Sequence, residues 1–229
     1  MPYKIIFVDE QIEEQNEFKA AFADLIRTDV VKVITLLPAE DLDEMIDNIC
    51  QENPDALVSD WNLNEIKSDL PRCYNVSYYG SDLIEAFLRI REGFPCFIAS
   101  SYDSDASEAT SIKDVNLVYS KDVNIDNHLD NQGKHLTFPQ KILLQIQKYK
   151  TRITEAEESL EQLCDRKRQG NKLSLKEEDE LIRLDSFLER ALDATAAIPE
   201  EFKKSSNSEQ LNNLINSVNE LLEKVKNAN

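Results

Sequence analysis

KIIFVDE, residues 4–10, sets four apolar side chains in a row (Ile5, Ile6, Phe7, Val8) and follows them at once with two acids, Asp9 and Glu10. A short apolar run without alternation reads as a strand covered on both faces, the condition of a parallel sheet. Four further runs follow at residues 30–36, 56–59, 96–99 and 115–119. Between them lie stretches with apolar residues at helical spacing, at 11–27, 39–52 and 81–92, with a weaker one at 104–112. Phe18, Phe22 and Leu25 step along the first, and Leu83, Phe87 and Ile90 along the third. Strands alternating with helices predict an α/β fold with a doubly wound, five-stranded parallel sheet. In such a sheet ligands sit at the carboxyl ends of the strands.

The polar residues fall at those ends. Asp9 and Glu10 follow the first strand, Asp60 the third, Ser100 and Ser101 the fourth, and Lys121 the fifth. One sheet edge would gather them. Carboxylates brought together repel unless a hard cation joins them, and Mg²⁺ takes a few carboxylates with waters. A carboxylate is also a nucleophile toward phosphorus. A fixed ammonium and a metal neutralise charge on a transferring phosphoryl group.

Five pieces of the chain resemble the receiver domains of two-component response regulators. They are KIIFVDE (4–10), ALVSDWNLN (56–64), GSDLIEAFLRIR (80–91), PCFIASSY (95–102) and VYSKD (118–122), in that order. The resemblance covers about residues 1–125 and implies a flavodoxin-like receiver fold. It implies that Asp60 is the phosphoacceptor, that Asp9 and Glu10 bind Mg²⁺ with Asp60, and that Asn62 offers a backbone carbonyl to the metal. Ser100 resembles the switch hydroxyl and Lys121 the lysine that pairs with the phosphoryl group. The implied donor is a phosphohistidine on a histidine kinase or histidine phosphotransfer protein. Two positions depart from the pattern: Asp122 stands where the family has proline, and Val118 where it has an aromatic residue. These departures favour an alternative, a phosphorylation-independent pseudo-receiver acting as a scaffold or oligomerisation protein. A hydrolase of the wider aspartyl-phosphate type would want a second acid two residues past the nucleophile, and position 62 is Asn.

From residue 138 the pattern turns helical. Ile142, Ile146, Tyr149, Ile153, Ala156, Leu160 and Leu163 step by four and three, a heptad seam. Gly170 interrupts it, and Ser174 with Glu177 forms a capping-box signature. Leu181, Leu184, Leu188, Ala191, Thr195 and Ile198 continue the stepping, with Pro199 expected to end that helix. A third helix is expected after Ser208. The expectation is a receiver domain at 1–138 and an all-α helical hairpin or three-helix coiled-coil region at 139–229, which switches a downstream protein partner or pairs with a second copy as a homodimer.

Composition narrows the partners. The 229 residues carry a formal charge of −18. Residues 1–138 hold about 11 basic and 27 acidic side chains, residues 139–229 about 15 and 17. Such a field repels nucleic acid and anionic membranes. Four scattered cysteines show no zinc or disulfide spacing, and MPYKIIFVDE reaches acids too soon for a signal peptide. A cytoplasmic signalling protein without dedicated enzymatic turnover is the expectation. His128 and His135 lie in a polar stretch rather than on a helical seam, so the C-terminal helices are not expected to be a histidine phosphotransfer module. The polar segment 64–79 is longer than in the family pattern and lies beside the acceptor, where it would serve as a lid or a partner contact.

Overall fold

The computed structural model describes residues 1–64, 76–100 and 136–203, with the backbone of 118–120. It divides into two compact units, Met1–Lys150 and Thr151–Asn229. The expected boundary at 138/139 coincides with the start of a helix. The unit boundary falls inside that helix, because its first turns belong to the sheet.

The first unit is an α/β layer structure. Strands β1 (Tyr3–Val8), β2 (Val31–Leu36), β3 (Ala56–Asp60) and β4 (Cys96–Ser100) form its parallel body, and a three-residue β5 (Val118–Ser120) is registered on β4. The order is β2-β1-β3-β4-β5. That order puts a switch point between β1 and β3, the place where such sheets hold ligands. Helices α1 (Ile12–Ala21), α2 (Ala23–Arg27), α3 (Leu42–Glu52) and α4 (Gly80–Ile90) connect the strands. The expected helix at 104–112 lies outside the described residues.

Strand side chains alternate between two faces. Ile6, Val8, Leu57 and Ile98 pack with Met45, Ile46 and Ile49 of α3 and Leu83, Ile84 and Phe87 of α4. Ile5, Phe7, Val58, Phe97 and Ala99 pack with Phe18 and Phe22, and with Ile142 and Ile146 of α5 (Phe138–Arg168). Phe7 and Phe18 stack with centroids 4.2 Å apart. The sheet is therefore covered on both faces at β1, β3 and β4, whose central residues are apolar, while the edge strand β2 keeps Lys32 exposed.

Two local details differ from the sequence expectation. The stretch 11–27 is not one helix. It breaks at Phe22, whose amide donates to Lys19 three residues back and whose ring is fully buried. The helix α3 starts at Leu42 rather than Ala39, because the Asp41 carboxylate caps it, accepting from the Asp43 and Glu44 amides at 2.9 and 3.1 Å.

The second unit holds the end of α5, α6 (Leu175–Asp193) and α7 (Glu200–Lys203). The turn between α5 and α6 closes as the sequence foretells. Gly170 adopts φ +82 and the amides of Gly170 and Asn171 bond back to Lys167 and Arg166, a Schellman ending. Ser174 and Glu177 form the capping box that opens α6. Arg166 pairs with Glu177, and Arg152 lies 5.1 Å from the Phe187 ring. Those two contacts run in opposite chain directions, so α5 and α6 are antiparallel. Of the expected seam, Ala156, Leu184 and Ala191 are buried and Ile153, Leu160, Leu163, Leu181 and Leu188 half-buried. Ile142 and Ile146 serve the sheet core instead.

The helix α6 stops before Thr195 and Ile198. The Asp193 carboxylate accepts from Thr195 Oγ1 and the Thr195 amide, a local turn that competes with helix continuation. Pro199 therefore opens α7 rather than closing α6, a role suited to its missing N–H. The helix expected after Ser208 lies outside the described residues. Among those described, no helix is long and apolar enough to cross a membrane.

Candidate functional site

The carboxyl edge of the sheet carries the polar residues. Val8 of β1 pairs in register with Ser59 of β3, so the residues that follow them, Asp9 and Asp60, lie side by side on neighbouring strands. Asp60 pairs with Ala99 of β4, which sets Ser100 one residue beyond it on the next strand. Asp9, Glu10, Asp60 and Ser100 are all buried. Lys121 and Ser101 lie outside the described residues, although β5 ends at Ser120, one residue before Lys121.

Local bonds hold the acids in place. The Gln11 amide donates to Asp9 Oδ1 at 2.8 Å, and Gln11 Nε2 donates to Glu10 Oε1 at 3.1 Å. Gln15 Nε2 donates to the Asp9 carbonyl at 2.8 Å and lies 3.4 Å from the Leu36 carbonyl, tying α1 to the ends of β1 and β2. Asp60 Oδ2 accepts from the Asn62 amide at 2.8 Å.

Glu10 is the electrostatic anomaly. Its carboxyl is pushed up to about 7, first by burial and then by the neighbouring charges of Asp9 and Asp60, against a backbone hydrogen bond and the Gln11 amide, which favour ionisation. Glu10 Oε2 is buried without a hydrogen-bond partner. A buried carboxylate oxygen without a partner, in the field of Asp9 and Asp60, is the environment that a hard cation relieves. The donors on offer are carboxylates and the Asn62 carbonyl, all oxygen, which fits Mg²⁺ chemically. Among the described residues no three His, Cys, Asp or Glu side chains are already drawn together as a metal cage.

The segment after Asp60 is sutured at its base. The Gly80 amide donates to the Trp61 carbonyl at 2.9 Å. The Asn64 side chain donates to the Val76 carbonyl and accepts from the Val76 amide, both at 2.7 Å. Tyr78 is buried and donates its hydroxyl to the Ala39 carbonyl at 2.6 Å. Tyr79 stacks on Trp61 with centroids 5.6 Å apart. Residues 65–75, the middle of the expected lid, lie outside the described residues.

Sequence reasoning missed Gln11, Gln15, Asn64 and the role of Gly80. Gly80 alone left a signal: a glycine at the start of a helical stretch that lacks any turn motif. The glutamines and Asn64 have no such mark, because side-chain amides are common on surfaces and only the packing buries Gln11 and Gln15 and brings Asn64 to Val76.

No family model matches the chain, and no curated protein matches it. Among solved structures it is similar to the anti-anti-sigma factor PhyR from Bartonella quintana, at 11% identity and a TM-score of 0.44. The match covers 69% of this chain and 52% of that one, so the chain spans about half the length of that protein.

Proposed function

We propose that the N-terminal unit is a receiver domain that accepts a phosphoryl group on Asp60. The observation that carries this reading is the buried carboxylate group itself: Asp60 at the end of β3, beside Asp9 and Glu10 at the end of β1, with Glu10 Oε2 unpartnered. Burial and the charges of Asp9 and Asp60 already penalise an ionised Glu10, and a perturbed acid at the ligand-binding edge of such a sheet is the kind of group that binds a cation or reacts.

In the proposed step an Asp60 carboxylate oxygen attacks the phosphorus of a phosphohistidine. The O–P bond forms, the N–P bond breaks, and the electron pair goes to the imidazole nitrogen, which takes up a proton. Asp9, Glu10, Asp60 and the Asn62 carbonyl would hold Mg²⁺. When bound, that ion supplies positive charge to the transferring oxygens. Ser100, one residue beyond Asp60 on the next strand, would hydrogen-bond the product phosphoryl group, and Lys121 would pair with it. The donor would be a histidine kinase or histidine phosphotransfer protein. The C-terminal helices would pass the signal to a protein partner or to a second copy of the chain. The protein would then be a cytoplasmic signalling switch rather than a dedicated enzyme.

A pseudo-receiver scaffold is the second reading, favoured by Val118 and Asp122 in place of the family's aromatic residue and proline. Acetyl phosphate with Mg²⁺, read by intact mass beside Asp60→Asn, tests the first. A single phosphoryl gain that needs Mg²⁺ and vanishes in the variant supports it. No gain, together with no Mg²⁺-dependent beryllofluoride binding, leaves the scaffold.

A further inference from the structure

A chain of hydrogen bonds runs from Asp60 to the far side of the segment that follows it. Asp60 Oδ2 accepts from the Asn62 amide at 2.8 Å, and Asn62 Oδ1 accepts from the Asn64 amide at 3.2 Å. The Asn64 side-chain amide then pairs with both backbone groups of Val76, twelve positions away. Asn64 thus acts as an extra peptide unit, making the paired bonds that a neighbouring strand would make. Val76 is buried, and Leu63 and Tyr78 beside the junction are buried too. Tyr78 carries the connection on to the Ala39 carbonyl, in the turn between β2 and α3. From Asp60 to Val76 the series consists of side-chain oxygens accepting from the backbone two residues on, closed by one two-way amide pair.

We propose that this ladder couples the Asp60 carboxylate to the base of the 64–76 segment, with Asn64 as the positioning residue that transmits it. The regulatory form of the inference rests on the phosphoryl-acceptor reading; the coupling itself does not. The physical reason is the change in acceptor strength at the first rung. An ionised carboxylate oxygen is a strong acceptor for an amide, about twice as strong as a neutral one. Phosphoryl transfer turns the carboxylate into a mixed anhydride, which puts the negative charge on the phosphoryl oxygens and leaves a neutral carbonyl or bridging oxygen facing the Asn62 amide. That rung weakens, the Asn62 side chain loses its anchor, and the Asn64–Val76 pair is released from its register. Each rung fixes the position of the residue that makes the next one, so the loss travels along the chain.

Amide hydrogen exchange of Asn62, Asn64 and Val76, resolved by NMR in the full chain, reads the ladder directly. In Asp60→Ala, with no phosphoryl donor present, all three amides should exchange roughly fivefold faster or more, the loss of about one hydrogen bond. In Asn64→Ala the Val76 amide should already be fast, and a further Asp60→Ala change should leave it unaltered. Asn64→Asp keeps the oxygen that accepts from Val76 and should restore most of that protection, which a general loosening of the fold would not do. Wild-type protein carrying one phosphoryl group should resemble Asp60→Ala. If Val76 exchange in Asp60→Ala equals that of the wild type, the coupling is wrong. If phosphorylation succeeds by mass and Val76 does not respond, the regulatory form is wrong while the acceptor reading stands. If no phosphoryl group is gained and beryllofluoride does not bind, but Asp60→Ala speeds Val76, the acceptor reading fails and the coupling remains.

Discussion

Gly80 lies against the carbonyl of Asp60: a Cβ placed on Gly80 would sit 1.8 Å from that oxygen and 2.6 Å from Ser59 Oγ. Backbone on backbone at that distance has no flexible end to yield. The close approach lets the Gly80 amide reach the Trp61 carbonyl and sets the start of α4 on the end of β3. Gly80→Ala should therefore move either α4 or the Asp60 strand end, at a cost of roughly 1–3 kcal/mol or more. Urea unfolding checks the cost, and loss of phosphoryl uptake at preserved folding would show that Asp60 itself had shifted.

Glu10 makes stability depend on pH in a direction opposite to most carboxylates. Its pKa is raised from the ordinary 4.5 to about 7 in the folded chain, so the folded state holds a proton that the unfolded state has released. Its favourable contribution is complete below the unfolded value and is lost as pH climbs through about 7. The whole window is worth at most about 3 kcal/mol. In chelator-containing buffer, Glu10→Gln should flatten this slope and exceed the wild type in stability at alkaline pH. Added Mg²⁺ should flatten the wild-type slope as well, by favouring the ionised acid. Equal slopes for wild type and Glu10→Gln in urea titrations would assign the pH dependence to other groups.

Lys203 of α7 donates to Asp185 at 2.6 Å and Glu189 at 2.7 Å on α6. Burial lowers its pKa, but the two carboxylates outweigh burial and hold it above the usual value; Lys203 likewise holds Glu189 below its own. The lysine's contribution is present below its unfolded pKa and lost as pH rises past the folded one. The Glu189 contribution is present above its unfolded pKa and lost in acid. Lys203→Met should cost about 1 kcal/mol at low salt and less at high salt, since partly exposed pairs are screened. Guanidinium chloride would mask that difference, so urea is the denaturant to use.

Ser174 starts α6 by accepting from the Glu177 amide, while Glu177 accepts from the Ser174 amide and hydroxyl. Its bonds to the Ser174 backbone and hydroxyl, then Arg166, hold the Glu177 carboxyl down to about 2. Ser174→Ala should lower stability by about 1 kcal/mol. The Glu177 pKa, followed by NMR, should rise part of the way, because the amide of residue 174 still donates; an unmoved pKa would mean that this amide and Arg166 set it without the hydroxyl.

Much of this protein was settled by local pattern. Ile5 to Val8 and Ala56 to Ser59 had to be buried strands because an unbroken apolar run has no face to show water. Asp9, Glu10, Asp60 and Ser100 then had to stand at strand ends, because parallel strands put all their carboxyl ends on one edge. Gly170, Ser174 and Glu177 marked the α5–α6 turn through backbone chemistry that spans only a few residues. What the sequence could not determine were the contacts between residues far apart along it. Ile142 and Ile146 carry the same heptad spacing as Ala156, yet they pack on Phe7 and Val58, and spacing does not say which core a helix face meets. The helix α6 ends at Asp193 because one carboxylate captures Thr195, a competition decided by a rotamer. The raised pKa of Glu10, the close approach at Gly80 and the Asp60–Asn62–Asn64–Val76 ladder all depend on distances between separate segments. Burial and distance set the strength of each of these interactions, and only the folded chain has either.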